Sequence, residues 1–177
     1  MYLLTETASP FALERWAAFF ANFGQFAKGF FYTLGISIGA LIVALLLGLI
    51  FGAMSSTHNK VLRGISRVYV EIFQNTPLLV QFVVVFYGIS ILTDGHVMIP
   101  ISLTAILCVG VYTGAYISEI IRTGIEAVPK GQTEAALSQG FTYADTMRII
   151  ILPQAVRTIL PPLTNQVVNL IKNTSTV

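Results

Sequence analysis

The chain has 177 residues, of which 55% are apolar and only 10% charged, with a formal net charge of +2 and a mean hydropathy of +0.78. A soluble domain of that composition would expose large contiguous apolar surface, so the chain is read as an integral membrane protein, all-α because helices satisfy their own backbone in lipid. Cys108 is the single cysteine, which excludes a disulfide within the chain and a CxxC redox or metal site and leaves a packing role.

Ser9 and Pro10 form an N-cap and first helical residue. Behind them Trp16, Phe19, Phe20, Phe23 and Phe26 recur at helical spacing, with Glu14, Arg15, Asn22 and Gln25 mostly elsewhere on the wheel. The pattern predicts an amphipathic helix lying in the membrane interface, or a partner surface as the second reading. Residues 1–28 are accordingly expected to be an N-terminal periplasmic or interfacial segment. The first residues carry acids without a basic n-region, so no secretory signal peptide is expected and the first span would serve as the targeting signal.

Gly29 to Asn59 contains no Lys, Arg, Asp or Glu, and 30–54 is expected as the first span. Ala40, Ala44, Gly48 and Gly52 step by four along one stripe, and Gly35 with Gly39 repeats the small-xxx-small spacing on another, which predicts close helix packing. Lys60, Arg63 and Arg67 follow directly, placing this loop in the cytoplasm and the N-terminus outside. Arg67 and Glu71 are expected to pair across one helical turn. The second span is expected over 72–93, entered through Gln74-Asn75-Thr76-Pro77, and Asp94 to Met98 reads as an external turn. His58 and His96 fall in loops without a second ligand at metal-binding spacing and read as solvated.

The third span is expected over 99–120, opened by Pro100. Tyr112, Tyr116 and Glu119 share one face, and Arg122 can pair with Glu119 and with Glu126. A polar cytoplasmic loop over about 123–152 follows. Within it, Gln132 to Ser138 favours helix, Gly140 can take the left-handed conformation that closes it, and Thr142 with Asp145 caps a second helix running into Ile151. Pro153 is expected to bend the chain and hold Leu152 out of helical geometry. The fourth span is expected over 153–172, with Arg157 and Lys172 snorkelling and Pro161 and Pro162 interrupting it. Asn165, Asn169 and Lys172 align on it as pathway-lining groups, or the Asn side chains as interhelical glue. Gln81, Tyr112, Tyr116 and Glu119 complete a mixed polar set able to meet an ammonium and a carboxylate.

Glu134, Ala135 and Ala136, then Gly140, Ile150, Leu152 and Pro153, spell E-A-A-x3-G-x9-I-x-L-P. This run resembles the cytoplasmic loop of membrane permease subunits of ABC importers, and YVEIFQNTPLLVQ resembles the second-span entrance of their polar amino-acid (histidine, glutamine, glutamate and arginine) branch, although Gln74 stands where many members carry a basic residue. The resemblance runs from about Thr33 onward. It implies the type I ABC importer permease (MetI-like) fold, with 29–177 as the permease transmembrane domain. Four of a usual five spans are present, so the chain is expected to be C-terminally truncated.

The seven motif residues would couple to an ATPase subunit, the 132–138 helix sitting in its cleft. Further implied partners are a second permease subunit, identical or paralogous, an extracytoplasmic amino-acid-binding protein and the lipid of the plasma (bacterial inner) membrane, with no nucleic acid. No G-x-x-x-x-G-K-[ST] phosphate loop is present, so ATP and Mg belong to the partner, and no cofactor, metal site or catalytic group is expected in this chain. The expected function is import of a polar amino acid. An ion-coupled secondary transporter, a membrane assembly protein and a non-functional permease fragment are the alternatives.

Overall fold

The structure, a computed structural model, describes residues 13–176. The Ser9–Pro10 cap lies outside the described residues. Helix α1 covers Leu13–Ala21 and α2 covers Phe23–Ser55. Only Asn22 separates them, its side-chain amide donating to the Ala18 carbonyl at 2.8 Å. The expected boundary at residue 28 is therefore absent, and Phe23 and Phe26 already belong to the span helix. At 1.5 Å per residue α2 is about 50 Å long, well over a ~30 Å hydrocarbon core. The exposed rings of Phe23, Phe26, Phe30 and Tyr32 extend the span into the zone where aromatic side chains anchor helices.

Helix α3 (Lys60–Asn75) replaces the expected loop and the start of the second span. Asn59 caps it by accepting from the backbone N–H groups of Val61 and Leu62 at 2.9 and 3.3 Å. Thr76 is extended, as the residue before a proline must be to avoid its ring, and the chain turns by 99° into the helical run Leu78–Leu92. That run comprises α4 (Leu78–Val83), a π segment (Val84–Gly88) and α5 (Ile89–Leu92). The span expected over 72–93 is thus bent at its entrance, and Leu78–Leu92 alone, roughly 22 Å long, is too short to cross the core. Asp94 and Gly95, both at positive φ, make the following turn.

Helix α6 (Ile101–Glu126) is the central element, with Thr104, Ala105, Val109, Gly110, Thr113 and Ile117 among its buried residues. Helix α7 (Lys130–Ser138), the short α8 (Tyr143–Asp145) and a π segment (Thr146–Ile151) form the loop, and α9 (Leu152–Asn173) closes the bundle. Two helices, α2 and α6, are by themselves long and apolar enough to cross a membrane among the described residues, three if the bent pair counts as one. The helix expected as a fourth span, α9, is not among them, because Gln154, Arg157, Thr164, Asn165, Gln166 and Asn169 dilute its apolar residues.

Pro161 and Pro162 do not interrupt α9, which continues through them. The residues whose carbonyls lose a donor to these prolines, Arg157 and Thr158, are exposed. Leu152 is helical, not extended: the π segment runs without a break into α9, with Pro153 at its second position.

The core forms where α2 meets α6. Ala40, Ala44, Gly48 and Gly52, the stripe read from the sequence, are all buried. A Cβ on Gly48 would lie 2.4 Å from Ile117, and one on Gly52 2.8 Å from Ile121. Reciprocally, a Cβ on Gly110 would lie 2.7 Å from Val43, and one on Gly114 2.8 Å from the Tyr69 hydroxyl. The second expected stripe is only half realised. Gly39 faces Ile106, but nothing lies within 4 Å of a Cβ on Gly35.

Polar ties attach the other helices to this pair. Ser66 donates to the Phe51 carbonyl at 2.8 Å and Tyr69 to the Val111 carbonyl at 2.7 Å, with the Tyr69 ring stacked on Phe51 at 4.1 Å. Leu78, Phe82 and Leu170 seal the sides.

Replacing Gly110 by Ala is expected to lower stability by about 1–3 kcal/mol, the usual cost of overpacking, because Val43 and the Ala40 carbonyl, 3.1 Å from the added atom, belong to the facing helix. Gly35→Ala should leave stability at or above the wild-type value. Thermal unfolding of the purified protein in detergent compares the two.

Candidate functional site

Gly140 carries φ +86°, and the end of α7 forms a complete Schellman cap around it. The Gly140 N–H donates to the Leu137 carbonyl at 3.0 Å and the Phe141 N–H to the Ala136 carbonyl at 3.1 Å. Two residues on, the Thr142 hydroxyl accepts from the Asp145 N–H at 3.2 Å and pairs with the Asp145 carboxylate at 2.5 Å. The joint read from the sequence is therefore present in full, and it turns the chain from α7 into the second half of the loop without a flexible connection.

Ala135 and Ala136, expected together at a partner surface, part company. Ala136 is buried and Ala135 exposed, because successive residues of a helix are a hundred degrees apart and the inner side of α7 rests on the π segment Thr146–Ile151. Glu134, Ala135, Leu137 and Ser138 remain outward, with Leu137 48% exposed. Of the remaining motif residues, Ile150 is half-buried beside the buried Ile151, and Leu152 and Pro153 are exposed at the head of α9.

Beside α7 lies a hollow of about 650 Å³ whose walls include Glu126, Lys130, Glu134, His58 and Tyr143. His58 is exposed, as expected, but its ring also meets Tyr143 edge-on at 5.4 Å. This contact links the α2–α3 turn to the loop.

A second hollow, of about 500 Å³, opens between α3 and the last turns of α6. Arg122 bridges Glu119 and Glu126 on its rim, as the spacing predicted. The expected Arg67–Glu71 pair does not form; the ion pairs among the described residues are those of Arg122. Both side chains face the hollow instead.

The expected substrate-path residues do not converge within the chain. Glu119 lines the second hollow. Tyr112 and Tyr116 share a hydrogen bond of 3.2 Å. Gln81 donates to the Phe73 and Thr76 carbonyls at 3.1 and 2.9 Å, bracing the bend between α3 and α4. Asn165, Asn169 and Lys172 are exposed on α9, with Asn169 donating to Gln166 at 3.2 Å.

Ser66, Tyr69 and Ser118 were not singled out from the sequence. The signal for the first two was their spacing on α3, one turn apart and beside the stripe of Val61, Ile65, Val68 and Ile72. Ser118 had none. Among the described residues no cluster of three or more His, Cys, Asp or Glu could hold a metal ion.

A bundle of apolar helices from which a rigid two-part loop projects one short helix is the arrangement of a transport permease subunit. The family model for the binding-protein-dependent transport system inner membrane component matches residues 44–177. The chain belongs to that family, in its polar amino-acid ABC permease branch, and is a multi-pass protein of the inner membrane.

It is 42% identical over 159 residues to the probable glutamine ABC transporter permease protein GlnM of Bacillus subtilis (strain 168), covering 88% of this chain and 71% of that one. It is 36% identical over 162 residues to the glutamate/aspartate import permease protein GltJ of Escherichia coli (strain K12), covering 86% and 66%. A crystal structure of an amino acid ABC transporter with histidines superposes with a TM-score of 0.82 at 33% identity, over 90% of this chain and 73% of that chain. The chain thus spans about two thirds of the length of these relatives. An inward-facing MetNI methionine ABC transporter shares the fold at 19% identity with a TM-score of 0.70. The fold is that of the type I ABC importer permeases.

A Cβ on Gly140 would meet nothing within 4 Å, so Gly140→Ala acts through the backbone alone. It is expected to cost about 1–2 kcal/mol, the penalty of a left-handed L-residue. Faster amide hydrogen exchange at Gly140 and Phe141, with α6 unaffected, is the measurable result.

Proposed function

We propose that the chain is the permease subunit of an ABC importer for a polar amino acid, energised by ATP hydrolysis on a separate ATPase subunit. A second permease subunit and an extracytoplasmic amino-acid-binding protein complete the assembly, and ATP with its magnesium ion is held by the ATPase chain. The reading rests on one feature above the others. Helix α7 turns Glu134, Ala135, Leu137 and Ser138 outward while its buried Ala136 is seated on a segment continuous with α9.

A push on the outer face of α7 has a short physical route. Its capped end resists bending, its inner face bears on the Thr146–Ile151 segment, that segment runs directly into α9, and α9 packs on α6. The route works as a switch only if the ATPase binds the two arrangements of the bundle with different affinity. The named relatives, a probable glutamine permease and a glutamate/aspartate import permease, support an amino acid as the cargo. The polar face of α9, with Asn165, Asn169 and Lys172 exposed, is available to line a path completed by a second permease subunit. Ion-coupled transport has a weaker footing, since Glu119, the acid nearest the interior of a span, is already paired with Arg122.

In vesicles carrying the permease, ATPase and binding protein, uptake is expected to require ATP and to survive an ionophore. ATP-independent uptake abolished by the ionophore would sink the proposal. Glu134→Arg should reduce uptake roughly 5–150-fold, the range of a typical coupling energy, while the ATPase still hydrolyses ATP in detergent. Full uptake by that variant would remove α7 from the coupling role.

A further inference from the structure

We propose that the hollow between α3 and α6 is the open half of an ion-pair switch. When the end of α6 moves toward α3, Arg122 exchanges Glu119 for Glu71, and Arg67 takes up Glu119. This rests on the reading of α7 as the helix on which an ATPase pushes, and adds to it the contact that the push makes.

Each wall of the hollow carries both signs of charge. Arg63, Arg67 and Glu71 line it from α3, and Glu119, Arg122 and Glu126 from α6. In this arrangement Arg122 holds both carboxylates of its own helix, and Arg63 donates to the Thr57 carbonyl at 2.8 Å. Arg67 and Glu71 are exposed, line the same hollow and make no ion pair among the described residues. Their order along α3, cation before anion, is the weaker one for a pair four residues apart. Two opposite charges are thus left over on one wall, and each has its complement across the gap.

The two walls are fastened at one margin and open at the other. Tyr69 donates to the Val111 carbonyl at 2.7 Å and Gln74 to the Ala115 carbonyl at 3.2 Å, which ties α3 to α6 there. From Glu119 to Thr123 the side-chain hydrogen bonds of α6 stay within that helix. The α3 wall is also held to α2, by Ser66 and the Phe51 carbonyl. The α6 wall goes with the loop instead, since α6 ends at Glu126 and α7 begins at Lys130. It goes with α9 as well, because Gly124 lets Ile159 approach to 2.3 Å from where a Cβ would stand. A push on α7 therefore reaches the α6 wall and leaves the α3 wall in place.

Closing the gap changes what the pairs contribute. Exposed ion pairs add little to stability, since water and salt screen them, and the Glu126 side chain is 59% exposed. With the walls together the groups lose water, their attraction rises as the local dielectric falls, and an unpaired charge becomes costly. The exchange leaves no such charge behind. Arg67 holds Glu119, and Arg122 holds Glu71 while keeping Glu126. The closed arrangement is favoured only when every one of these partners is present, which makes the exchange a switch and not a passive rim of charge.

The test begins with a double-mutant cycle on ATP-driven uptake in vesicles carrying permease, ATPase and binding protein. The tracer is whichever common L-amino acid the wild-type complex takes up fastest. Arg67→Gln and Glu119→Gln are each expected to lower uptake about tenfold, and the double variant no further than the worse single one. Arg67→Lys, which keeps the charge, should retain most of the uptake. Losses that multiply to about a hundredfold in the double variant would overturn the switch, because the two groups would then act apart. Wild-type uptake by both single variants would do the same.

A second measurement does not depend on activity. Arg67→Cys is combined with Glu119→Cys, with Cys108 replaced by Ala, and the purified permease–ATPase complex is oxidised and its joined peptides are quantified by mass spectrometry. The cross-link is expected with ATP bound to an ATPase variant that cannot hydrolyse it, and to form slowly without nucleotide. Equal cross-linking in the two conditions, or none in either, would count against any approach of the walls and end the proposal. Failure of the wild-type complex to take up any common L-amino acid with ATP would instead overturn the reading of the chain as an amino-acid importer, and an ATP-dependent cross-link would still support the switch.

Discussion

The close approach of α2 and α6 is the constraint on which the rest of the structure depends. In lipid there is no hydrophobic drive to press two apolar helices together, so contact comes from backbone proximity and dispersion. The glycines make that proximity available in both directions. Gly48 and Gly52 receive Ile117 and Ile121, while Gly110 and Gly114 receive Val43 and the Tyr69 hydroxyl. The last contact matters beyond the pair. Because Gly114 has no side chain, Tyr69 can reach the Val111 carbonyl, and α3 is thereby pinned across α6 instead of continuing as a straight span.

From that placement follow the positions of the charges. With α3 held by Tyr69 and Ser66, the adjoining stripe of Val61, Ile65 and Val68 is exposed, as suits a helix resting against lipid. Its polar edge, with Arg67 and Glu71, meets the end of α6 where Glu119, Arg122 and Glu126 emerge. Charged groups are costly in the hydrocarbon and tolerable at its border, and here they gather at the border nearest the α7 loop. The proposed coupling surface and this charged hollow thus share one end of the bundle, with Glu126 in the walls of both hollows.

Stiffness is concentrated where a loop is usually loose. The Schellman cap at Gly140 and the Thr142–Asp145 cap stand back to back, and the chain then passes through a π segment into α9 with no extended residue between. Extra residues per turn of the π kind often mark functional positions in helices, and this one lies under the buried Ala136. The prolines of α9 fit the same logic. Pro153 follows the π segment directly, and Pro161 with Pro162 removes donors on a stretch of exposed residues.

By itself the sequence determined whatever depends on neighbours along the chain. The Ala40–Gly52 stripe, the left-handed Gly140, the Thr142–Asp145 cap and the Arg122 pairs with Glu119 and Glu126 each involve residues within a few turns of one another, so spacing alone carries the geometry. The motif from Glu134 to Pro153 carried the family for the same reason. What only the tertiary structure decided are contacts between distant segments. Whether α3 continued straight or turned by 99° depended on Tyr69 and Gln74 finding the Val111 and Ala115 carbonyls on α6. Whether Arg67 paired with Glu71 or faced a hollow depended on the end of α6 standing opposite. Ser118 is a serine like any other until α3 and α6 enclose it, because burial and an unmet hydrogen bond are properties of the packed bundle and not of any stretch of chain.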